Sequence, residues 1–505
     1  MSLTSLPPPM DRSAGILLHP SSFPSRFGIG DLGHSADRFL ELLAAAGCTL
    51  WQMLPLGPTG FGNSPYQSFG AMAGNPNLVS PELLVEDGLL EPEELDPPRF
   101  PSDRVDFSTA VPWKLAILDR AFDRIGSHPS LARQLRDFEE ARSTWLDDFA
   151  LFMALKDAYA GRPWAAWPKP YREYFPGALR EARRDLAEPI ARHRFRQFLF
   201  FRQWQQLRAK AEGLGIRIIG DLPIYAAHDS VDVWANRDLF ALTRLGEPRL
   251  VAGVPPDYYS ATGQLWGNPQ YRWRVHRSTG YRWWIQRLRA ATELADLVRL
   301  DHFRGFHDYW EIPAGAATAE PGRWKKGPGY GFFATVSRSL GRLPLLAEDL
   351  GGESAPGVIA LRDRLGLPGM KVLQFAFETP HSLHLPHTYR HERWVVYTAT
   401  HDSDTTVGWW NALPEAQRRF ARSYLDADGS EPHWDLVRLA WSSVASLALV
   451  PMQDILGLGS QARMNTPGVL EGNWEWRMRN WPNSEMIERL RGLTELFGRN
   501  SQIKP

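Results

Sequence analysis

The sequence predicts a (β/α)8 barrel of the TIM type with helical and loop insertions between strands, on three observations. Short apolar runs recur along the chain, helical patterns lie between many of them, and four of the runs end in acidic residues. Each run is rich in Val, Ile or Leu and stops at a polar or glycine-rich turn, as strands buried on both faces of a parallel sheet do. Strands alternating with helices build a parallel barrel.

The runs are, in order, GILLHP (15–20), TLWQMLPLGP (49–58), IRIIGDLPIY (216–225), ADLVRLDHFRG (295–305), LPLLAEDLGG (343–352), MKVLQFAF (370–377), WVVYTATHD (394–402) and SLALVPMQDIL (446–456). SADRFLELLAAAG, YRWWIQRLRAATEL and APGVIALRDRLG are among the helical patterns between them. Two spacings exceed a minimal barrel. Residues 59–215 are mostly amphipathic, as in WKLAILDRAFDRI and HRFRQFLFFRQWQQLRAKAEG, and predict a helical insertion. Residues 226–294 form a second insertion, containing the aromatic, turn-rich loop VAGVPPDYYSATGQLWGNPQYRW at 251–273. A length of 505 residues would suit three domains by simple division. Barrels with insertions exceed about 400 residues as one unit, so residues 1–505 are expected to be a single catalytic domain.

Composition narrows the function. Lys+Arg and Asp+Glu both total 57, which gives no electrostatic reason to expect nucleic acid or an acidic membrane as partner. Cys48 is the only cysteine, so a disulfide or thiolate cluster within one chain is excluded. The N-terminal MSLTSLPPPMDRSAG lacks the pattern of a signal peptide, and apolar runs fall short of the roughly eighteen residues of a membrane span. A cytoplasmic protein is expected. The 21 Trp are numerous enough to suggest a sugar groove, since an aromatic face complements the C–H face of a sugar; DYW is one motif of this kind. For any single Trp, core packing is the simpler explanation.

At the ends of barrel strands, polar residues are the first catalytic suspects. Here the strands end in Asp221, in Asp301, in Glu348 with Asp349, and in Asp402 with Asp404. One such carboxylate commonly caps a helix. Four strand ends together, without cysteine ligands or a phosphate loop, suit glycosidic-bond chemistry, which needs one ionised and one protonated carboxyl. Arg299 and Asp301 are two apart on a strand and share a face, so the guanidinium would keep the carboxylate charged as a nucleophile. Glu348 follows the apolar LPLLA and would have the raised pKa of a general acid. Asp349 points to the other face, where a helix-capping role is expected. His401 and Asp402 form a pair able to grip adjacent sugar hydroxyls.

Taken together, IIGDLPIY, VRLDHFRGF, AEDLG and TATHDSDT resemble the motif set of the amylomaltases, the 4-α-glucanotransferases of the α-amylase clan. SPYQSFGAMAGNP (64–76), the 251–273 loop and GNWEWRM (472–478) extend the resemblance from about residue 14 to the end. It implies a retaining double displacement, with Asp301 as nucleophile, Glu348 as acid/base and Asp402 as transition-state stabiliser. It further implies substrate binding by Arg299, His401, His302, Asn268 and Asp221, and stacking of glucose on Tyr66 and Trp266. Asp257, Tyr258 and Tyr259 would belong to a mobile acceptor loop. α-1,4-Glucans and maltooligosaccharides would be donors and acceptors, with glucose also an acceptor, and the assembly a monomer or homodimer. Where the motif has Asn, this chain has Ser403, which is shorter and puts a direct sugar contact there in doubt.

Other readings stand beside this one. His302 with His307, or His401 with Asp402, lack a convincing metal-ligand set, so no metal is expected. Gly28-Ile-Gly30-Asp-Leu-Gly33 matches a dinucleotide fingerprint only formally. A loop, SSFPSRF, separates it from the preceding strand, and no acid ends the next one, so a tight turn is expected and no cofactor. An α-glucan hydrolase could use the same carboxylates. A silent glucan-binding barrel or a metal-dependent barrel hydrolase fits the acidic set less well.

Overall fold

The computed structural model describes residues 11–256, 260–351 and 355–500. Among them run, in chain order, β1 (Ser13–Leu17), β2 (Leu50–Gln52), β3 (Arg217–Leu222), β4 (Leu250–Val254), β5 (Gln264–Pro269), β6 (Leu297–Leu300), β7 (Asp308–Pro313), β8 (Arg323–Lys326), β9 (Leu345–Ala347), β10 (Gly369–Val372), β11 (Trp394–Tyr397) and β12 (Leu447–Pro451). Eight of these form one parallel sheet in the order β10-β11-β12-β1-β2-β3-β6-β9. Each of the eight apolar runs supplies one strand of this (β/α)8 barrel. The ends of the sheet meet where the Ala347 amide donates to the Pro368 carbonyl at 2.9 Å and the Met370 amide to Asp349 Oδ1 at 2.8 Å.

The strands alternate their side chains between two apolar layers. Leu447 and Leu449 of β12 join Val395, Tyr397, Met370, Val372, Ile219 and Leu346 inside the barrel. Ala448 and Val450 face the surrounding helices. That two-sided burial is why these runs are apolar at every position. Gly15 is required inside, because a Cβ there would come 2.1 Å from the Leu50 carbonyl oxygen on β2. Between β2 and β3 lie three long helices, Phe107–Arg124, Pro129–Ala158 and Ala187–Gly213. The first is capped by Asp106, whose carboxylate accepts the Ser108 amide at 3.1 Å, and the second opens on a proline that has no amide to satisfy.

The sequence patterns do not foretell a second sheet, four antiparallel strands in the order β5-β4-β7-β8. It draws β4 and β5 from the stretch expected to be an aromatic loop, and β7 from the DYW segment. The physical reason is non-local pairing. VAGV is short and glycine-bearing, and becomes a strand because Val251 and Gly253 pair with Ile312 and Trp310 some sixty residues away. Many of the tryptophans are core: Trp51, Trp164, Trp167, Trp204, Trp234, Trp284 and Trp441 are fully buried. The Gly28–Gly33 stretch is packed against neighbouring chain; a Cβ on Gly30 would lie 2.1 Å from the Pro20 carbonyl oxygen. Among the described residues, no helix is long and apolar enough to cross a membrane.

Candidate active site

The barrel register sets Asp221 of β3 directly beside Arg299 of β6. Arg299 Nη1 donates to Asp221 Oδ1 at 2.8 Å and Oδ2 at 2.7 Å, and to Asp301 Oδ1 at 2.9 Å. The Tyr66 hydroxyl donates to Asp221 Oδ2 at 2.8 Å. One buried guanidinium thus joins two carboxylates, and the two charges together hold Arg299 in its charged form against burial. Burial pushes the Asp221 carboxyl up, opposed by Arg299 and the Tyr66 hydroxyl. With its side chain fully buried, Asp221 is placed to support Arg299 and Tyr66.

Main-chain bonds carry the strand ladders into the loops bearing Asp301 and Glu348. The Asp301 amide donates to the Leu222 carbonyl at 3.0 Å, the Glu348 amide to Leu300 at 3.0 Å, and the Phe303 amide to the Glu348 carbonyl at 3.0 Å. His302 turns in the left-handed region at φ 48°. Its amide donates to Glu348 Oε2 at 2.8 Å, while the Leu350 amide donates to Oε1 at 2.8 Å. The two acids are therefore linked through the residue after Asp301. Burial is the main cause that raises the Glu348 carboxyl from 4.5 to about 7; nearby Asp301 adds to the rise, and Arg299 opposes it. The direction is the one expected from the apolar run before Glu348. Asp349 differs from expectation: it accepts the Met370 amide and pairs with Arg362, and the helix Pro356–Leu365 starts after Ala355 with no side-chain cap. The sheet closure next to it offers a cation and a free amide, which satisfy the carboxylate better than one helix end.

On the opposite side, the His401 ring stacks on Tyr66 at 5.2 Å between centroids and 14° between planes. His401 Nε2 lies 3.3 Å from Asp402 Oδ2. Trp266 of β5 meets the His302 ring edge-on at 4.9 Å. Burial lowers the His302 imidazole to about 4, so it presents a neutral ring. Asn268 is buried beside them, donating to the Ala226 carbonyl at 3.0 Å and accepting from Gln67 at 3.2 Å. The structure thus brings together Asp221, Arg299, Asp301, His302, Glu348, Tyr66, His401, Asp402 and Trp266, with Asn268 behind Trp266 on β5. Asp257, Tyr258 and Tyr259 lie outside the described residues. Ser403 turns its hydroxyl onto Thr400 Oγ1 at 3.1 Å, closing its own turn.

Two cavities flank the cluster without being lined by Asp301 or Glu348. One, about 420 Å³, lies behind His401, Ser403, Asp404 and Arg463; the other, about 790 Å³, lies beside Tyr66, Asp221 and Tyr225. Asp301 and Asp402 are open to the outside, with 26% and 46% of their side chains exposed. Among the described residues no three His, Cys, Asp or Glu side chains are grouped to hold a metal ion.

Sequence reasoning uses GNWEWRM from the loop after β12 for the resemblance, but gives no role to Arg463, Asn465 or Trp474. Arg463 and Asn465 reach Asp402 from it, and Trp474 lies 5.7 Å from the Tyr66 ring and 6.1 Å from His401. No periodicity links positions some sixty residues apart. For Arg463 and Asn465 the signal is position, since a loop following the last barrel strand opens on the same face as the other strand ends.

A family model described as 4-alpha-glucanotransferase matches residues 18–483. The chain is 51% identical to the 4-alpha-glucanotransferase of Thermus thermophilus over 497 residues, covering 96% of this chain and 99% of that one. It is 50% identical to the enzyme of the same name from Synechocystis sp. over 496 residues, covering 97% and 98%. Among solved structures, the amylomaltase from Streptococcus agalactiae in complex with acarbose matches with a TM-score of 0.93 at 37% identity, over 97% of this chain and 99% of that one. A barrel of this register, with its acids at the strand ends and relatives matched over nearly their full length, places the chain in the 4-alpha-glucanotransferase family.

Proposed function

We propose that the chain moves α-1,4-glucan segments between chains by a retaining double displacement in which Asp301 is the nucleophile and Glu348 the general acid/base. The carrying observation is the unequal pair: a carboxylate bonded to Arg299 beside a buried carboxyl whose pKa is raised to about 7. Retaining glycoside chemistry asks for this division of labour. In the first step Asp301 attacks the anomeric carbon, the glycosidic bond breaks, and Glu348 gives its proton to the leaving oxygen. In the second, Glu348 takes the proton of an acceptor hydroxyl, that oxygen attacks the same carbon, and the ester to Asp301 breaks. Two inversions restore the α linkage.

Arg299 orients Asp301, with Asp221 and Tyr66 holding Arg299 and the floor of the site. Asp402 stabilises positive charge developing on the distorted sugar, and His401 shares the grip on its hydroxyls. Trp266, beside neutral His302, offers an apolar face that an acceptor sugar covers, excluding water while presenting a hydroxyl. Maltooligosaccharides, starch-type chains and glucose serve as acceptors. The acarbose held by the related amylomaltase supports an oligosaccharide-binding cleft. The reading treats residues 1–505 as one catalytic unit with insertions at 59–215 and 226–294, working in the cytoplasm.

The test is incubation with maltotriose and chromatography of all products. Glucose with a ladder of longer maltooligosaccharides is the expected result. Glucose and maltose without longer chains would replace transfer by hydrolysis, and unchanged substrate would overturn the reading.

A further inference from the structure

Asp402 is more open than Asp301, yet it is held from a part of the chain sixty-three residues away. Asn465 Nδ2 donates to Asp402 Oδ1 at 2.6 Å, and His401 Nε2 stands 3.3 Å from Oδ2. We propose that Asn465 is a positioning residue, fixing the Asp402 carboxylate through its side-chain amide. The proposal rests on the role given to Asp402 above.

Asn465 donates to one carboxylate oxygen and the His401 ring stands beside the other, and together they restrict the side-chain torsions that a half-exposed aspartate would otherwise sample freely. Only the amino end of the Asn465 amide can donate to a carboxylate, so its orientation is settled by its partner. The donor is also neutral. An arginine in its place would form an ion pair and draw down the negative charge, whereas an amide aligns the carboxylate and leaves that charge to act on the oxocarbenium-like transition state.

The loop carrying Asn465 is anchored independently of its side chain. Its amide donates to the His401 carbonyl at 3.1 Å, Arg463 Nη2 to the Asp402 carbonyl at 2.6 Å, and Arg463 Nε to the Asn465 carbonyl at 2.7 Å. The Trp474 amide closes the loop on the Met464 carbonyl at 2.8 Å. Replacing the side chain should therefore free the carboxylate while the main chain stays in place.

The experiment compares Asn465→Leu and Asn465→Ala in the otherwise intact chain and in an Asp402→Asn background, measuring kcat and KM for maltotriose disproportionation. Two variants guard against one folding poorly. The expected result is a kcat lower by about 10- to 100-fold, the scale of a hydrogen bond to a charged group, with KM nearly unchanged. In the Asp402→Asn background the same substitutions should cost little more, because their target is already gone. An unchanged kcat overturns the proposal, as does a raised KM with kcat intact, which would make Asn465 a sugar contact. An equal loss of kcat in both backgrounds overturns it too, by showing a general loosening of the loop. If Asp402→Asn alone keeps full kcat, the reading of Asp402 falls and this inference with it; a crippled Asp402→Asn with additive losses sinks the inference alone.

Discussion

Replacing Glu348 by Gln should abolish transfer and, at the same time, change how stability depends on pH. The Glu348 carboxyl is buried, and burial raises its pKa from 4.5 to about 7. For an acid raised in the folded state, the folded protein binds more protons than the unfolded chain between those two values. Stability from this group is therefore lost as pH rises from about 4.5, and the full penalty is present above about 7. At about 1.4 kcal/mol per pH unit, the penalty approaches about 3 kcal/mol. Gln carries no such charge. It brings a fixed cost instead, because the His302 and Leu350 amides both point at the carboxyl oxygens and one of them will face an NH2 group. That mismatch costs about 1–3 kcal/mol and does not vary with pH. The difference in unfolding free energy, variant minus wild type, should thus rise by about 3 kcal/mol between pH 4 and pH 8. Urea denaturation of both proteins at each pH measures it, and every group common to the two cancels. A flat difference would refute the account of a strained, buried acid at position 348.

Other expectations follow from the same geometry. Wild-type transfer should decline as pH climbs past about 7, because the first step needs the protonated form of Glu348 and that form is lost above its pKa; a pH profile of kcat that stays level to pH 9 would contradict this. Asp301→Asn should lose several orders of magnitude of activity with an unchanged circular dichroism spectrum, and a variant retaining activity would remove Asp301 from the mechanism. Trp266→Ala should raise the ratio of hydrolysis to transfer on maltotriose, since it strips the apolar face beside His302. Gly15→Ala should destabilise the barrel by about 1–3 kcal/mol through overpacking, because the new methyl meets the Leu50 carbonyl oxygen; an unshifted denaturation midpoint would show that β1 can move.

What the sequence discloses and what it hides divide along one physical line. The eight barrel strands are legible because each is buried on both faces, so local composition alone carries the signal, as in WVVY and LALVP. The acids are legible for a related reason: a carboxylate directly after such a run is held at a strand end by the ladder itself, as Asp301 is by Leu222. β4, β5, β7 and β8 are not, since they are only partly buried and broken by charged, glycine and proline residues, so none reads as a continuous apolar run. Asp349 shows the same limit at one residue. From sequence it is expected to cap a helix, whereas its partner in space is Arg362, inside the helix Pro356–Leu365.

The division also explains where the chemistry is tuned. The carboxylates proposed to react come from strand ends, and little but the barrel is needed to place them. Their protonation and direction come from elsewhere: Glu348 takes its raised pKa from burial under the His302 turn, Arg299 is braced by Tyr66 acting through Asp221, and Asp402 is gripped from the loop after β12. A substitution in those distant segments should therefore change rate or pH dependence while leaving the barrel intact.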